Sequence, residues 1–271
     1  REVDFQQRKA PLQWLVTAGR LQQRVAPWLA PDGHRTDIVI QHSPLHDFNQ
    51  ARMRATVEDA LEMFSQRFGP YSRRDLQLVE IAQFAREESI PAPSTPGAGG
   101  LVALPERAGW LHDYRREPGY DLLTYVLSRE VARTWWGQIA GASAGPGAAL
   151  VDEGVAGVLA LELLERRNGR QAVERYVANL QAVYLKQSAL TEGSLPDVLH
   201  TQFEPYAGLQ ATLSLYAHRK RLGAAMFDRR LDDYFRQHAP SGGGSFPVRP
   251  KALAQALGMD IQTDLLYPER M

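Results

Sequence analysis

The chain has no cysteine, which excludes disulfides and thiolate metal sites and favours neither an oxidising nor a reducing compartment. It also lacks an excess of either charge, with 31 Lys plus Arg against 31 Asp plus Glu in 271 residues. Nothing therefore draws the whole chain to nucleic acid or anionic lipid. No apolar run reaches the roughly 20 residues of a bilayer span, and Arg1-Glu2-Val3-Asp4 lacks the apolar core of a signal peptide. The expectation is a soluble fragment without a span of its own. Also missing are a G-x-S-x-G elbow and a phosphate-cradling loop, since Gly97 to Gly100 has no lysine partner. Of the seven histidines, His42 and His46 are four apart, but they flank Ser43-Pro44, where a helix is disfavoured. No structural zinc and no other cofactor are expected.

What is present reads as mixed structure giving way to helices. Leu12 to Val16 and Asp37 to Gln41 are short β-like runs, and Pro31-Asp32-Gly33 marks a turn, so the start reads as an antiparallel β region. From Asn49 to Phe68 the apolar positions Met53, Val57, Ala60, Leu61, Phe64 and Phe68 recur at helical spacing, and Gly69-Pro70 ends the pattern. Leu76 to Ile81 alternates as a strand, and after a Pro/Gly/Ser-rich loop from Pro91 to Gly100, Leu101 to Leu104 reads as an edge strand. Beyond Pro118-Gly119 helices are expected over Leu122 to Ile139, Val151 to Arg167, Arg170 to Gln187, Tyr206 to Arg221 and Ala224 to His238. A flexible spacer, Ser241 to Ser245, precedes a short closing helix over Pro250 to Leu257.

One helix carries the sequence Arg129-Glu130-Val131-Ala132-Arg133-Thr134-Trp135-Trp136-Gly137. By itself R-E-x-x-R is an ordinary solvated ion-pair face. Followed by Trp-Trp-Gly, and with Leu150-Val151-Asp152-Glu153-Gly154-Val155-Ala156 on the next helix, it resembles the gluzincin aminopeptidase family. That family places H-E-x-x-H-x-W-x-G on one helix and the third zinc ligand, a Glu, on the next. Leu104-Pro105-Glu106-Arg107-Ala108-Gly109-Trp110 resembles the family segment whose Glu binds the substrate's free amine, and Tyr206 sits where a Tyr stabilises the oxyanion, although the Lys-Gly that follows it in the family is missing. His46-Asp47-Phe48-Asn49-Gln50-Ala51-Arg52-Met53 and Phe68-Gly69-Pro70-Tyr71 are similar to segments of the aminopeptidase-like domains fused to bacterial ABC-type exporter permeases.

The resemblance implies an α+β, mainly helical fold: a short N-terminal β portion (1–45), a thermolysin-like subdomain (46–168) and a helical subdomain (169–271). It makes Glu106 the substrate-binding residue, Glu130 and Tyr206 vestigial catalytic groups, and Arg129, Arg133 and Glu153 vestigial ligand positions. Two neutral imidazoles one helical turn apart are what such a zinc site needs. Guanidinium keeps its proton and offers no lone pair, so no zinc and no peptidase activity are expected. The charge of two arginines equals that of the missing ion, and short contacts from Arg129 or Arg133 to Glu153 are expected. By the resemblance the domain is an extracytoplasmic, periplasmic-face binding or scaffolding module whose partners are peptide amino termini or an exporter permease. The alternative is an active zinc aminopeptidase with an atypical metal site built from Glu130, Glu153 and Asp152. The Arg129 to Arg133 spacing to Glu153 is one residue longer than the family's, an excess assigned to the loop Ala142 to Ala149.

Overall fold

The computed structural model describes residues 20–81, 100–106, 109–113, 121–139, 147–189, 207–238 and 249–259, without the side chains of 136–139 and 187. The expected strand at Leu12 to Val16, the spacer Ser241 to Ser245, Tyr206, and most of the loops at Pro91 to Gly100 and Ala142 to Ala149 lie outside these residues.

Four strands form one mixed sheet in chain order: β1 (Gln22–Leu29), β2 (Arg35–His42), β3 (Asp75–Ile81) and β4 (Leu101–Pro105). β1 and β2 pair antiparallel, as the expected β region requires, across a turn at Pro31-Asp32-Gly33. There the Gly33 N–H donates to the Ala30 carbonyl at 2.9 Å, with Gly33 at φ +86°, a conformation that glycine adopts without a Cβ penalty. β2, β3 and β4 run parallel. β2 alternates, burying Thr36, Ile38, Ile40 and His42. β1 was not marked in the sequence as a strand. Only Trp28 along it is buried, so it has no inside-outside period to read, and Pro27 breaks the usual strand composition. Its edge position explains both, since a proline that donates no hydrogen bond is tolerated there.

α1 (Gln50–Phe68) connects β2 to β3 and buries Met53, Val57, Ala60, Leu61, Phe64 and Phe68, the stripe expected from the spacing. The remaining helices follow the sequence limits within a residue or two: α2 (Leu122–Ile139), α3 (Ala156–Asn168), α4 (Arg170–Ser188), α5 (Ala207–Leu222), α6 (Ala224–His238) and α7 (Pro250–Leu257). One departure concerns the start of the helix expected from Val151. Leu150–Val155 is a π turn that leads into α3. A π turn takes in one residue more than an α turn, so it offers a second place, besides the loop, for the extra residue between Arg133 and Glu153.

A single cluster of buried apolar side chains runs from Trp28 on β1 to Met259 after α7. α2 lies at its centre: every residue from Leu123 to Ala132 is buried. Such a helix is normally apolar all round, yet α2 carries Thr124, Ser128, Arg129, Glu130, Arg133 and Thr134. Its hydroxyls are satisfied locally, Thr134 Oγ1 donating to the Val131 carbonyl at 2.8 Å and Ser128 Oγ to that of Thr124. The charged residues pair with one another and with a carboxylate from the next helical segment. No described helix is long and apolar enough to cross a membrane.

Candidate functional site: a guanidinium–carboxylate cluster on a peptidase-like scaffold

α2 is fixed at its start by Asp121. The Asp121 carboxylate accepts from the Thr124 N–H (3.1 Å) and Thr124 Oγ1 (2.6 Å), as a helix cap does, and also from Asn168 Nδ2 (3.0 Å) and Arg52 Nη2 (2.7 Å). Burial alone would raise its pKa; the hydrogen bonds from Thr124 and Asn168 and the Arg52 charge outweigh that and hold it below the ordinary value. The end of α3 is thereby tied to the start of α2, so the two helices run antiparallel with their facing residues in fixed register. The H-x-x-N-x-x-R segment has distinct jobs along α1: Arg52 reaches Asp121, while Asn49 Nδ2 donates to the carbonyls of Gly109 (2.6 Å), Trp110 (3.3 Å) and His112 (3.0 Å).

Asn49 therefore clamps the segment that follows Glu106. An Asn49→Ala substitution removes every one of these bonds inside a buried site and leaves the carbonyls unpaired. At roughly 1 kcal/mol for each neutral hydrogen bond, it is expected to destabilise the protein by about 2–3 kcal/mol, measured by urea denaturation. An Asn49→Asp control keeps the shape but reverses the donor, and is expected to cost at least as much.

Across the α2 to α3 interface, Arg129 and Arg133 meet Glu130 and Glu153. Arg133 Nη2 lies 3.0 Å from Glu153 Oε1 and its Nη1 3.1 Å from Glu130 Oε2. Arg129 Nη2 lies 3.1 Å from Glu130 Oε1 and 3.6 Å from Glu153 Oε2. The contact to Glu153 expected from the sequence is present, and both carboxylates face the same pair of guanidiniums. Accidental motif matches on an unrelated helical domain would not require Glu130 and Glu153 to converge. Glu130 is 1% exposed and the two arginines 9% and 11%, whereas Glu153 keeps 26% of its side chain open. At Arg129 burial works against the charge, but Glu153 and Glu130 prevail and hold its pKa above the usual guanidinium value. Glu153 is the mirror case: burial pushes its pKa up, and the Arg129 and Arg133 charges more than reverse this.

A carboxylate with a lowered folded pKa contributes stability that is complete above its unfolded value of 4.5 and lost as pH falls through the folded value. The urea midpoint is therefore expected to fall below about pH 4.5, and to fall less steeply in Glu153→Gln, which has no carboxylate there to protonate. Identical pH profiles for the two proteins would remove Glu153 from the acid response.

The π turn aims Glu153 at α2, and two glycines make room. A Cβ on Gly154 would stand 2.9 Å from the Ala211 Cβ and the Leu215 side chain, and one on Gly208 3.2 Å from Glu153 itself. α5 therefore begins against Glu153, and Thr212 Oγ1 donates to the Glu153 carbonyl at 3.3 Å. Beneath the cluster Tyr125 is fully buried against Tyr176, their rings 4.4 Å apart, and burial raises its phenol pKa. Trp135, of the Trp-Trp-Gly tail, packs between Phe64 and Tyr71 in the core.

Among the described residues Glu106 forms no ion pair with this cluster. It stands just past β4, where one of its carboxylate oxygens, a ring nitrogen of His46 and a Glu80 carboxylate oxygen all lie within 4.8 Å of one another. Sequence reasoning missed this grouping because Glu80 was read only as part of a strand. No local signal in the sequence brings the three together, since they meet only through the strand order.

No family model and no curated protein matches the chain. Solved structures do. An M1 zinc metallopeptidase from Deinococcus radiodurans matches with a TM-score of 0.57 and 18% identity over 91% of this chain and 51% of its own. Its E323A mutant bound to a Tyr-Ser-Ala substrate gives 0.58 and 18% over 92% of this chain and 52% of its own. Aminopeptidase A of Legionella pneumophila, in complex with aspartic acid, gives 0.56 and 14% over 91% of this chain and 28% of its own. The chain thus spans about half the Deinococcus enzyme and just over a quarter of the Legionella one. The residues between α2 and α3 do not fit a zinc ion such as the one the Deinococcus enzyme is named for, because two guanidiniums occupy the space between the helices and hold the carboxylates. In fold, the mixed four-stranded sheet and the helices packed on it are those of the M1 zinc metallopeptidases.

Proposed function

We propose that the chain is a non-hydrolytic, aminopeptidase-like binding module. The observation that supports this most is the closed charge balance between α2 and α3: two arginines face two glutamates, and each carboxylate is within ion-pair distance of both guanidiniums. Zinc catalysis lowers the pKa of a bound water and polarises the scissile carbonyl. Arg129 and Arg133 can do neither at a metal, since neither donates a lone pair. An atypical ion on Glu130 and Glu153 would have to displace short guanidinium contacts, so the active-enzyme alternative is not favoured.

Binding remains chemically open. Glu106 offers a carboxylate to a free amino terminus, and the resemblance of the His46 to Met53 and Phe68 to Tyr71 segments to exporter-fused domains supports a place on the extracytoplasmic side of an exporter permease. Calorimetric titration with short peptides bearing free or acetylated amino termini tests the binding role, alongside a peptidase assay. The expected result is no turnover, binding of free amino termini only, and weaker binding by Glu106→Gln. Uniform silence across the panel overturns the peptide-binding reading, and turnover overturns the non-hydrolytic one.

A further inference from the structure

β2, β3 and β4 run parallel, so their carboxyl ends open on one edge of the sheet. Ligands of open sheets with parallel strands characteristically bind in the crevice outside those ends. Each strand delivers a metal-ligating side chain there. Glu80 is the next-to-last residue of β3, Glu106 follows Pro105 at the end of β4, and His46 lies four residues beyond the end of β2. The register confirms the alignment, with Ile81 opposite Pro105.

We propose that His46, Glu80 and Glu106 form a site for a divalent cation of the zinc and manganese class. One imidazole nitrogen and two carboxylate oxygens suit such ions, which need about three protein ligands with further positions open to solvent or a ligand. The donor atoms already stand within 4.8 Å of one another, so small side-chain rotations close them around an ion.

The charges point the same way. The Glu80 side chain is 3% exposed. Among the described residues its one ion-pair partner is His46, and Glu106 has none. A nearly buried carboxylate beside a second one, with His46 but no Lys or Arg among the described residues to share the two, carries charge that a divalent ion would neutralise. The Arg129 to Glu153 cluster, where each carboxylate has two guanidiniums, is the opposite case.

The shell around the ligands is organised. The Ser43 N–H donates to Glu80 Oε2 at 2.7 Å, leaving Oε1 to face His46. The Leu111 N–H donates to the Glu106 carbonyl at 2.9 Å, and Asn49 holds the three carbonyls that follow, so the backbone bearing Glu106 is fixed. Outer contacts of this kind orient metal ligands.

This goes beyond the binding-module reading and needs no peptide, although an ion and an amino terminus would compete for Glu106. The test uses the full chain stripped with chelator and titrated calorimetrically with Zn²⁺ alone and with Mn²⁺ alone. One ion per chain is expected for at least one of them, with at least a 100-fold loss of affinity in His46→Ala and in Glu80→Gln. Glu58→Gln, an ion-pair acid on the outer face of α1, is expected to bind as the wild type does. If Glu80→Gln fails to fold, Glu106→Gln, half-buried and without a partner, replaces it. No binding by the wild type overturns the proposal, as does binding that survives both His46→Ala and the carboxylate variant. Silence toward peptides leaves it standing.

Discussion

Replacing Arg129 by methionine is expected to lower the unfolding free energy by about 3–5 kcal/mol, the usual cost of stranding a buried charge by removing its partner. Methionine keeps most of the apolar stem that Arg129 packs into the core, so lost volume is a minor part of the effect. What is lost is the guanidinium that lies 3.1 Å from Glu130 and 3.6 Å from Glu153. Glu130, 1% exposed, and Glu153, a quarter open to water, are then left to share Arg133 alone. The double variant Arg129→Met/Glu130→Gln removes one charge of each sign and is expected to lose clearly less than the single variant, because Arg133 and Glu153 then balance. Urea denaturation with an unchanged slope measures both. A single variant within about 1 kcal/mol of wild type would mean that water, not Arg129, compensates Glu130.

That pair of variants also weighs what the cluster is for. Buried ion pairs often stabilise no more than apolar residues of the same volume. The arrangement therefore reads better as a way of closing a cavity lined with carboxylates than as a device for stability.

Much of this was legible in the sequence because the informative signals are local. The α1 stripe, the α2 limits, the Pro31 to Gly33 turn and the β4 edge strand follow from spacing and from punctuating glycine and proline. The motif order suggested that α2 and the segment at Glu153 would meet, and the charge argument then led to a contact from Arg129 or Arg133 to Glu153. What stayed hidden is non-local or aperiodic. β1 is exposed along most of its length and held by pairing to β2, so it shows no alternation. The π turn differs from an α turn only in its hydrogen-bond ring, which no propensity encodes. The meeting of His46, Glu80 and Glu106 depends on strand order, and a reader of the sequence has no reason to place positions 46, 80 and 106 on one sheet edge.

The largest change of all is expected from Arg129→His/Arg133→His: one more zinc ion per chain than the wild type holds. The α2 backbone already sets the two positions one turn apart on the face that meets Glu153. Imidazole is shorter than the arginine side chain, but a zinc ion adds about 2.0 Å on its histidine side and about 2.0–2.2 Å on its carboxylate side, which makes up the difference. The guanidinium groups thus stand where an ion and its bonds would fit, and their removal frees Glu153 to serve as third ligand. Metal analysis after purification without added zinc reads the result. Comparison with the wild type, and repetition in a His46→Ala background, separates this ion from any held at the sheet edge. Equal metal in all of them would show that Glu153, or the π turn that presents it, has moved out of reach of α2. An added ion would show that the scaffold between α2 and α3 still has the geometry of a metal site, and that two guanidiniums are what keep it closed.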